Sequence, residues 1–229
     1  MGPKLLLTTV AAAALTMGAV PASSADVEPT MVPDSWYVIL FGGVASLENF
    51  DVTYEVNGEL DDADADVDGS GFILGGAIGT HLMEDIRVEL EASYSESNVD
   101  SLDFSSGTDP DPVDGKVEFL TVLANIWYDV PLSDEIKPYI GGGAGVAIVD
   151  GDIAYIDGQT AFDSTEVAFA FQGGGGLRWA VSDHVTLDIG YRFKGVDGPS
   201  FSGSDTGASD ADTDWMFGHN LIGGISLGF

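Results

Sequence analysis

Apolar and polar residues alternate with a period of two over runs of about ten residues, and nothing else in the chain restricts its fold as sharply. Ile86, Val88, Leu90, Ala92 and Tyr94 share one parity, while Arg87, Glu89, Glu91 and Ser93 fill the other. The pattern returns with Val185, Leu187, Ile189, Tyr191 and Phe193 against Thr186, Asp188, Gly190 and Arg192. It returns again at the end of the chain with Trp215, Phe217, Leu221, Ile225, Leu227 and Phe229, broken only by His219 and Gly223. Successive side chains of a strand point to opposite faces, so each run is a strand with one apolar face, and in the first two runs the opposite face is charged. Alternation alone does not say which face meets water, since a soluble sheet and a lipid-facing wall both show it.

The connections separate the two cases. Eight strands are predicted over 36–45, 71–82, 86–95, 116–130, 136–149, 165–180, 185–194 and 214–229, and the segments between them run long, short, long, short, long, short, long. Long loops at one end and tight turns at the other are the rhythm of an up-and-down barrel that crosses a membrane. After Asp26 no stretch approaches the 18 or so apolar residues of a spanning helix, whereas tilted strands of about ten residues do cross hydrocarbon. Closure leaves no backbone edge unpaired in lipid. The predicted fold is an all-β, eight-stranded antiparallel up-and-down transmembrane β-barrel, with both termini at the turn end. Trp36, Tyr37, Phe72, Tyr94, Trp127, Tyr128, Trp179, Tyr191, Phe193, Trp215 and Phe229 lie near strand ends and read as interfacial girdles.

The chain opens with Lys4, an apolar run from Leu5 to Val20, Pro21 and the small residues Ala22-Ser23-Ser24-Ala25. That is the pattern of a secretory signal peptide over 1–25, cut before Asp26. A short periplasmic segment, 26–35, and the barrel domain, 36–229, are expected to follow. The chain has no cysteine, so strand pairing and packing must hold it together. Seven basic residues stand against 38 acidic ones, a net charge of −31, which excludes nucleic acid as a partner. The four long connections, 46–70, 95–115, 150–166 and 195–214, hold 25 of the 38 acids and no Lys or Arg, so the exposed end is expected to be strongly negative.

In combination, several segments resemble the small outer-membrane β-barrels of Gram-negative bacteria, the OmpA/OmpX-like porin-family group. They are the leader, Asn125-Ile126-Trp127-Tyr128-Asp129-Val130, the run from Lys137-Pro138-Tyr139 through Ala147, Gly190-Tyr191-Arg192, and a terminal Phe229 on an alternating strand. The resemblance covers the whole mature chain and implies residence in the outer membrane, in contact with its lipid and lipopolysaccharide. It also implies that Leu221, Gly223, Ile225, Leu227 and Phe229 form the signal read by the barrel-assembly machinery. No peptidoglycan-binding domain follows in this sequence, so the linking role of longer OmpA proteins is not implied.

On the inward parity stand Arg87, Glu89, Glu91, Asn125, Gln172, Arg178, Asp188 and Arg192, three bases balancing three acids. Eight strands enclose just enough room for such side chains to fill, so a plugged polar core is expected rather than an open pore. Asp64, Asp66 and Asp68-Gly69 match the opening of a calcium loop, but Gly75 stands where the bidentate Glu would be. Calcium is therefore the one cofactor candidate, weighed against a solvated acidic loop.

No enzyme is expected. His81, His184 and His219 are scattered, and His219 has no Ser at close same-face spacing before Ser226 on its strand. The glycine runs 141–145 and 173–176 open no helix and carry no nucleotide-site Lys, and read as close packing within strands. The expected function is a structural and surface-interaction protein that presents acidic extracellular loops, its surface partner unidentified. A small porin-like channel and a membrane-embedded lipid-modifying enzyme are the rival classes, with a soluble ligand-binding barrel more distant.

Overall fold

The computed structural model describes residues 36–56, 59–67, 71–104, 111–133, 135–155, 160–198, 200–201 and 211–229. The leader 1–25 and the segment 26–35 lie outside the described residues. Twelve strand segments are present: β1 (Trp36–Leu47), β2 (Phe50–Val56), β3 (Glu59–Val67), β4 (Gly71–Met83), β5 (Ile86–Phe104), β6 (Asp111–Asp129), β7 (Ile136–Tyr155), β8 (Thr160–Ser182), β9 (Val185–Val196), β10 (Ser200–Phe201), β11 (Ala211–Thr213) and β12 (Met216–Gly228). Eight of them close the barrel, in the order β1-β4-β5-β6-β7-β8-β9-β12 and back to β1, every neighbour antiparallel. The seam between the first and last strands runs in unbroken register from Tyr37↔Gly228 to Leu47↔Gly218.

Burial follows the parity of the sequence. In β5, Arg87, Glu89, Glu91 and Ser93 are buried inward while Leu90 and Ala92 are exposed on the wall. In β12, Leu221, Ile225 and Leu227 are exposed, as is Phe229 just beyond it, and Asn220, Ile222 and Ser226 are buried. Leu40, Ile140, Val167 and Ile189 are each more than half exposed, a degree of apolar exposure that only lipid would cover.

Two expectations are corrected. Tyr37 and Trp127, placed in the girdles by their positions near strand ends, are 3% and 1% exposed and face the lumen. Trp36, Tyr128, Trp179, Trp215 and Phe229 are exposed on the outer wall, where girdle residues belong. The second correction concerns the long connections, which are substantially strand. β5 runs on to Phe104, β6 begins at Asp111, β7 reaches Tyr155 and β8 spans 23 residues. The β2–β3 hairpin continues the wall beside β5, and β11 pairs with β2. A 23-residue strand is roughly 75 Å long, more than twice the nine to eleven residues that hydrocarbon requires, so the barrel rises well beyond the membrane.

The wall changes sign as it rises. Near the outer mouth Leu47, Val117, Phe119, Val149, Val196 and Met216 are buried inside the barrel. At the same level Glu48, Glu96, Glu118, Asp150 and Asp197 take the outward parity. This is soluble-protein patterning, apolar inside and charged outside, continued on strands that lower down face lipid.

Just above the Phe72–Tyr94 ring pair, Lys116 donates to Glu96 across β5–β6 at 2.9 Å. That hydrogen bond holds the Glu96 carboxyl below its usual range. Lys116 is half exposed, so solvent screening keeps the pair's contribution to stability small. A depressed carboxylate pKa stabilises the fold above the ordinary carboxylate range and loses that contribution as pH falls through the lowered value. Lys116→Met is accordingly expected to raise the Glu96 pKa toward its ordinary value in a carboxyl-detected NMR titration; an unchanged value would show that the pair does not form. Ile189, midway along the lipid-facing side of β9, tests the wall itself. Ile189→Arg should cost about 2–4 kcal/mol in reversible urea unfolding from phospholipid vesicles, and a change below about 0.5 kcal/mol would place that position in water.

Candidate functional site

The lumen is filled by a polar network laid down in layers along the inward parity of β5. At the turn end, Arg87 Nε donates to both carboxylate oxygens of Asp129, at 3.0 and 2.8 Å, and Arg87 also pairs with Glu89. Arg178 Nη1 reaches the same Asp129 at 3.4 Å. Tyr37 accepts from Arg87 at 3.2 Å and donates to Glu89 at 2.8 Å, so a phenol bridges the two charges. Glu89 also takes the Trp127 indole N–H at 2.9 Å.

Tyr139 repeats the device on the other side of the lumen, accepting from Arg192 at 3.0 Å and donating to Asp188 at 3.0 Å. The Arg192 guanidinium lies 4.2 Å from the centre of the Trp127 ring, a cation–π contact in a desolvated site. Glycine makes this crowding feasible, because a Cβ at Gly176 or Gly190 would collide with the Tyr139 hydroxyl.

One layer higher, Glu91 accepts from Asn125 at 3.1 Å and Gln172 at 3.0 Å, and Lys194 reaches it at 3.4 Å. Lys194 also donates to Ser93 at 2.7 Å, next to the Ser93–Thr121 hydroxyl pair. Above Lys194 a cavity of about 30 Å³ separates the network from the apolar lid of Leu47, Phe119, Val196 and Met216. That is room for about one water molecule. Among the described residues only Gln172 Oε1 and Arg192 Nε are buried without a partner.

The eight residues assigned to the lumen by parity therefore all stand on its wall, and they are joined by residues that assignment left out, Tyr37, Trp127, Asp129, Tyr139 and Lys194 among them. Asp129 shares the parity of Asn125 and Lys194 that of Arg192, so the signal was present. With these two, the hydrogen-bonded network among the described residues joins Arg87, Arg178, Arg192 and Lys194 to Glu89, Glu91, Asp129 and Asp188, four charges of each sign.

The acidic motif is placed differently. Asp64 and Asp66 lie on β3, in an extended strand rather than a turn, with Asp64 opposite both Asp51 and Asp103 in register. Asp68 lies outside the described residues. Among the described residues no group of three His, Asp or Glu side chains is placed to hold a metal.

His219 is not solitary. On the outer wall its Nδ1 meets the Tyr191 hydroxyl at 2.6 Å and its Nε2 meets Glu48 at 2.5 Å. Both partners come from other strands, where same-strand spacing could not reveal them. Hydrolysis would also need donors for an oxyanion, and the strand backbone here is taken up by pairing along the seam.

Comparison with known proteins follows the same outline. The family described as outer membrane protein beta-barrel domain matches residues 10–217. The outer membrane protein PagN of Salmonella typhimurium is 29% identical over 187 residues, covering 71% of this chain and 77% of its own length. An uncharacterized protein of Brucella abortus is 30% identical over 100 residues, 39% of this chain, and the match spans about a third of the relative's length, 34%. Among solved structures, the outer membrane protein OprG of Pseudomonas aeruginosa superposes with a TM-score of 0.58 at 18% identity, covering 86% of this chain and 96% of its own. The outer membrane protease OmpT of Escherichia coli gives 0.53 at 10% identity, over 90% and 100% of the two chains. At these identities the structural likeness shows the fold.

The Glu91–Lys194 pair provides a direct test of the network. Removing one partner of a buried pair strands the other charge, so Glu91→Leu should lower unfolding stability by about 3–5 kcal/mol. Glu91→Leu with Lys194→Met should recover most of that loss, as read by urea unfolding in vesicles. A double variant as unstable as the single one would show that the two charges do not act as a pair.

Proposed function

Because the chain belongs to the outer membrane protein beta-barrel domain family of the Gram-negative outer membrane, we propose that it is a structural and surface-interaction protein that closes its own lumen and works through its outer face. The observation that supports this reading is the double obstruction of the barrel. A charge-balanced network fills the membrane level, and an apolar lid covers it at the outer mouth. A diffusion pore needs a continuous aqueous path, and about 30 Å³ above Lys194 does not provide one. The rival enzyme reading draws on OmpT, which at 10% identity shares only the fold.

Outward acids such as Glu48, Glu118, Asp150 and Asp197 stand where the wall leaves the apolar band, and Lys116 beside them is engaged with Glu96. In this reading they draw divalent cations that bridge the rim to lipopolysaccharide phosphates, and they offer the same negative surface to cationic partners. Calcium at Asp64, Asp66 and Asp68 would be one such contact. The leader 1–25, the segment 26–35 and the outward row Leu221, Gly223, Ile225, Leu227 and Phe229 fit export followed by recognition by the assembly machinery.

Reconstitution tests the proposal. The folded protein should give no stepwise conductance in planar bilayers, and should associate with lipopolysaccharide micelles in a magnesium-dependent manner that chelation reverses. Replacing Glu48, Glu118, Asp150 and Asp197 with their amides should abolish the magnesium dependence. Open-channel steps would favour the pore, and association indifferent to both chelation and the substitutions would remove the acidic rim from the function.

A further inference from the structure

At the turn end the barrel opens into a vestibule of about 560 Å³, bordered by Trp36, Tyr37, Arg178, His184, Thr186 and Ser226. That volume falls within the roughly 300–1,000 Å³ of small-ligand sites. Its inner end is blocked, because Asp129 and Arg87 fill the lumen immediately beyond Arg178. Whatever enters must leave by the same mouth, which in this family anatomy faces the periplasm.

Arg178 is the unusual group here. Its side chain is 11% exposed, and its one hydrogen bond among the described residues is the long 3.4 Å contact with Asp129. Asp129 is already held by two shorter bonds from Arg87. Asp188, directly opposite Arg178 on β9, accepts from the Tyr139 hydroxyl. A guanidinium carries five N–H donors in a planar fork, so most of the donors of Arg178 remain unassigned. Its Cζ lies 5.5 Å from the centre of the Tyr37 ring, over the ring face.

We propose that the vestibule is a carboxylate-binding site anchored by Arg178, taking a short peptide or small organic acid. A planar carboxylate matches the fork in two parallel hydrogen bonds, and a mostly buried guanidinium is a stronger anchor than a solvated one. The hydroxyls of Thr186 and Ser226 and the ring of Tyr37 would line the remainder of the ligand. The acidity of the whole chain does not oppose this. The outer acids lie about twelve residues further up the strands, as Glu166 does on β8, roughly 40 Å along the strand and a few times the Debye length of about 8 Å at physiological salt. Glu84 and Asp183 at the vestibule rim are exposed to solvent. The carboxylate has two sources, a periplasmic molecule or the chain itself, since Asp34 lies two residues before Trp36 in the sequence.

The test uses the folded full-length barrel, isotope-labelled in detergent micelles, with N-acetyl-trialanine as the free acid and as its C-terminal amide. The acid should produce saturable shifts at the amides of Thr186 and Gly228, with an affinity at least tenfold above that of the amide. Arg178→Gln should abolish the preference and Arg178→Lys should retain part of it, with heat-modifiable electrophoretic mobility confirming that each variant folds. Asp34→Asn separates the sources: tighter binding of the acid identifies the chain's own carboxylate as the competitor, and unchanged binding identifies an external ligand, both in keeping with the site. Equal binding of acid and amide by the unsubstituted protein, undiminished acid preference in Arg178→Gln, or no saturable shift with or without Asp34→Asn would overturn the proposal.

Discussion

The pairing of β1 with β12 is the contact on which the whole structure depends. In hydrocarbon an unpaired N–H or C=O costs several kcal/mol, so a sheet of this length survives there only if its two edges satisfy each other. Register from Tyr37↔Gly228 to Leu47↔Gly218 does so without a break. Closure then dictates the interior. Eight strands leave a lumen about as wide as side chains are long, and the inward parity must fill it.

What fills the lumen changes with height, as does what faces outward. At membrane level charged groups face in because lipid forbids them outside, and they survive burial by pairing: Arg87 with Glu89 and Asp129, Lys194 with Glu91, and Arg192 with Asp188 through the Tyr139 hydroxyl. Above the girdle, water replaces lipid and the preference reverses, with Phe119, Val149, Val196 and Met216 inside and acids outside. The same strands thus make a membrane wall and, continuing upward, a soluble one. Obstruction of the lumen follows from this geometry, and it directs attention to the two ends of the barrel, the acidic rim and the vestibule around Arg178.

Much of this was readable in the residues. Strand number, antiparallel order and the rhythm of the connections follow from alternation and spacing, and parity alone sets Arg87, Glu89, Glu91, Asn125, Gln172, Arg178, Asp188 and Arg192 on the lumen side. The misreadings have physical causes. Trp127 and Tyr37 resemble girdle residues because aromatics near strand ends usually are, but each obeys its strand's parity and finds a carboxylate inside. Asp129 beside a turn and Lys194 beside a long connection look like solvated residues, yet both are buried. The stretches around β2 and β3 read as loops because they are rich in acid, although Phe50, Val52, Tyr54 and Val56 already carry the period of two. The contact of His219 with Tyr191 and Glu48 joins three strands and has no signature along any one of them.

Hydrogen exchange of the barrel in lipid nanodiscs measures the seam directly. The amides of Val38 to Val44 and of Leu221 to Leu227 should exchange as slowly as those of β6 and β7 at the same depth, and their protection should fail only with global unfolding. Rapid exchange along β1 and β12 while β6 and β7 stay protected would mean that the two edges do not meet in the bilayer, and the closed barrel would have to be abandoned.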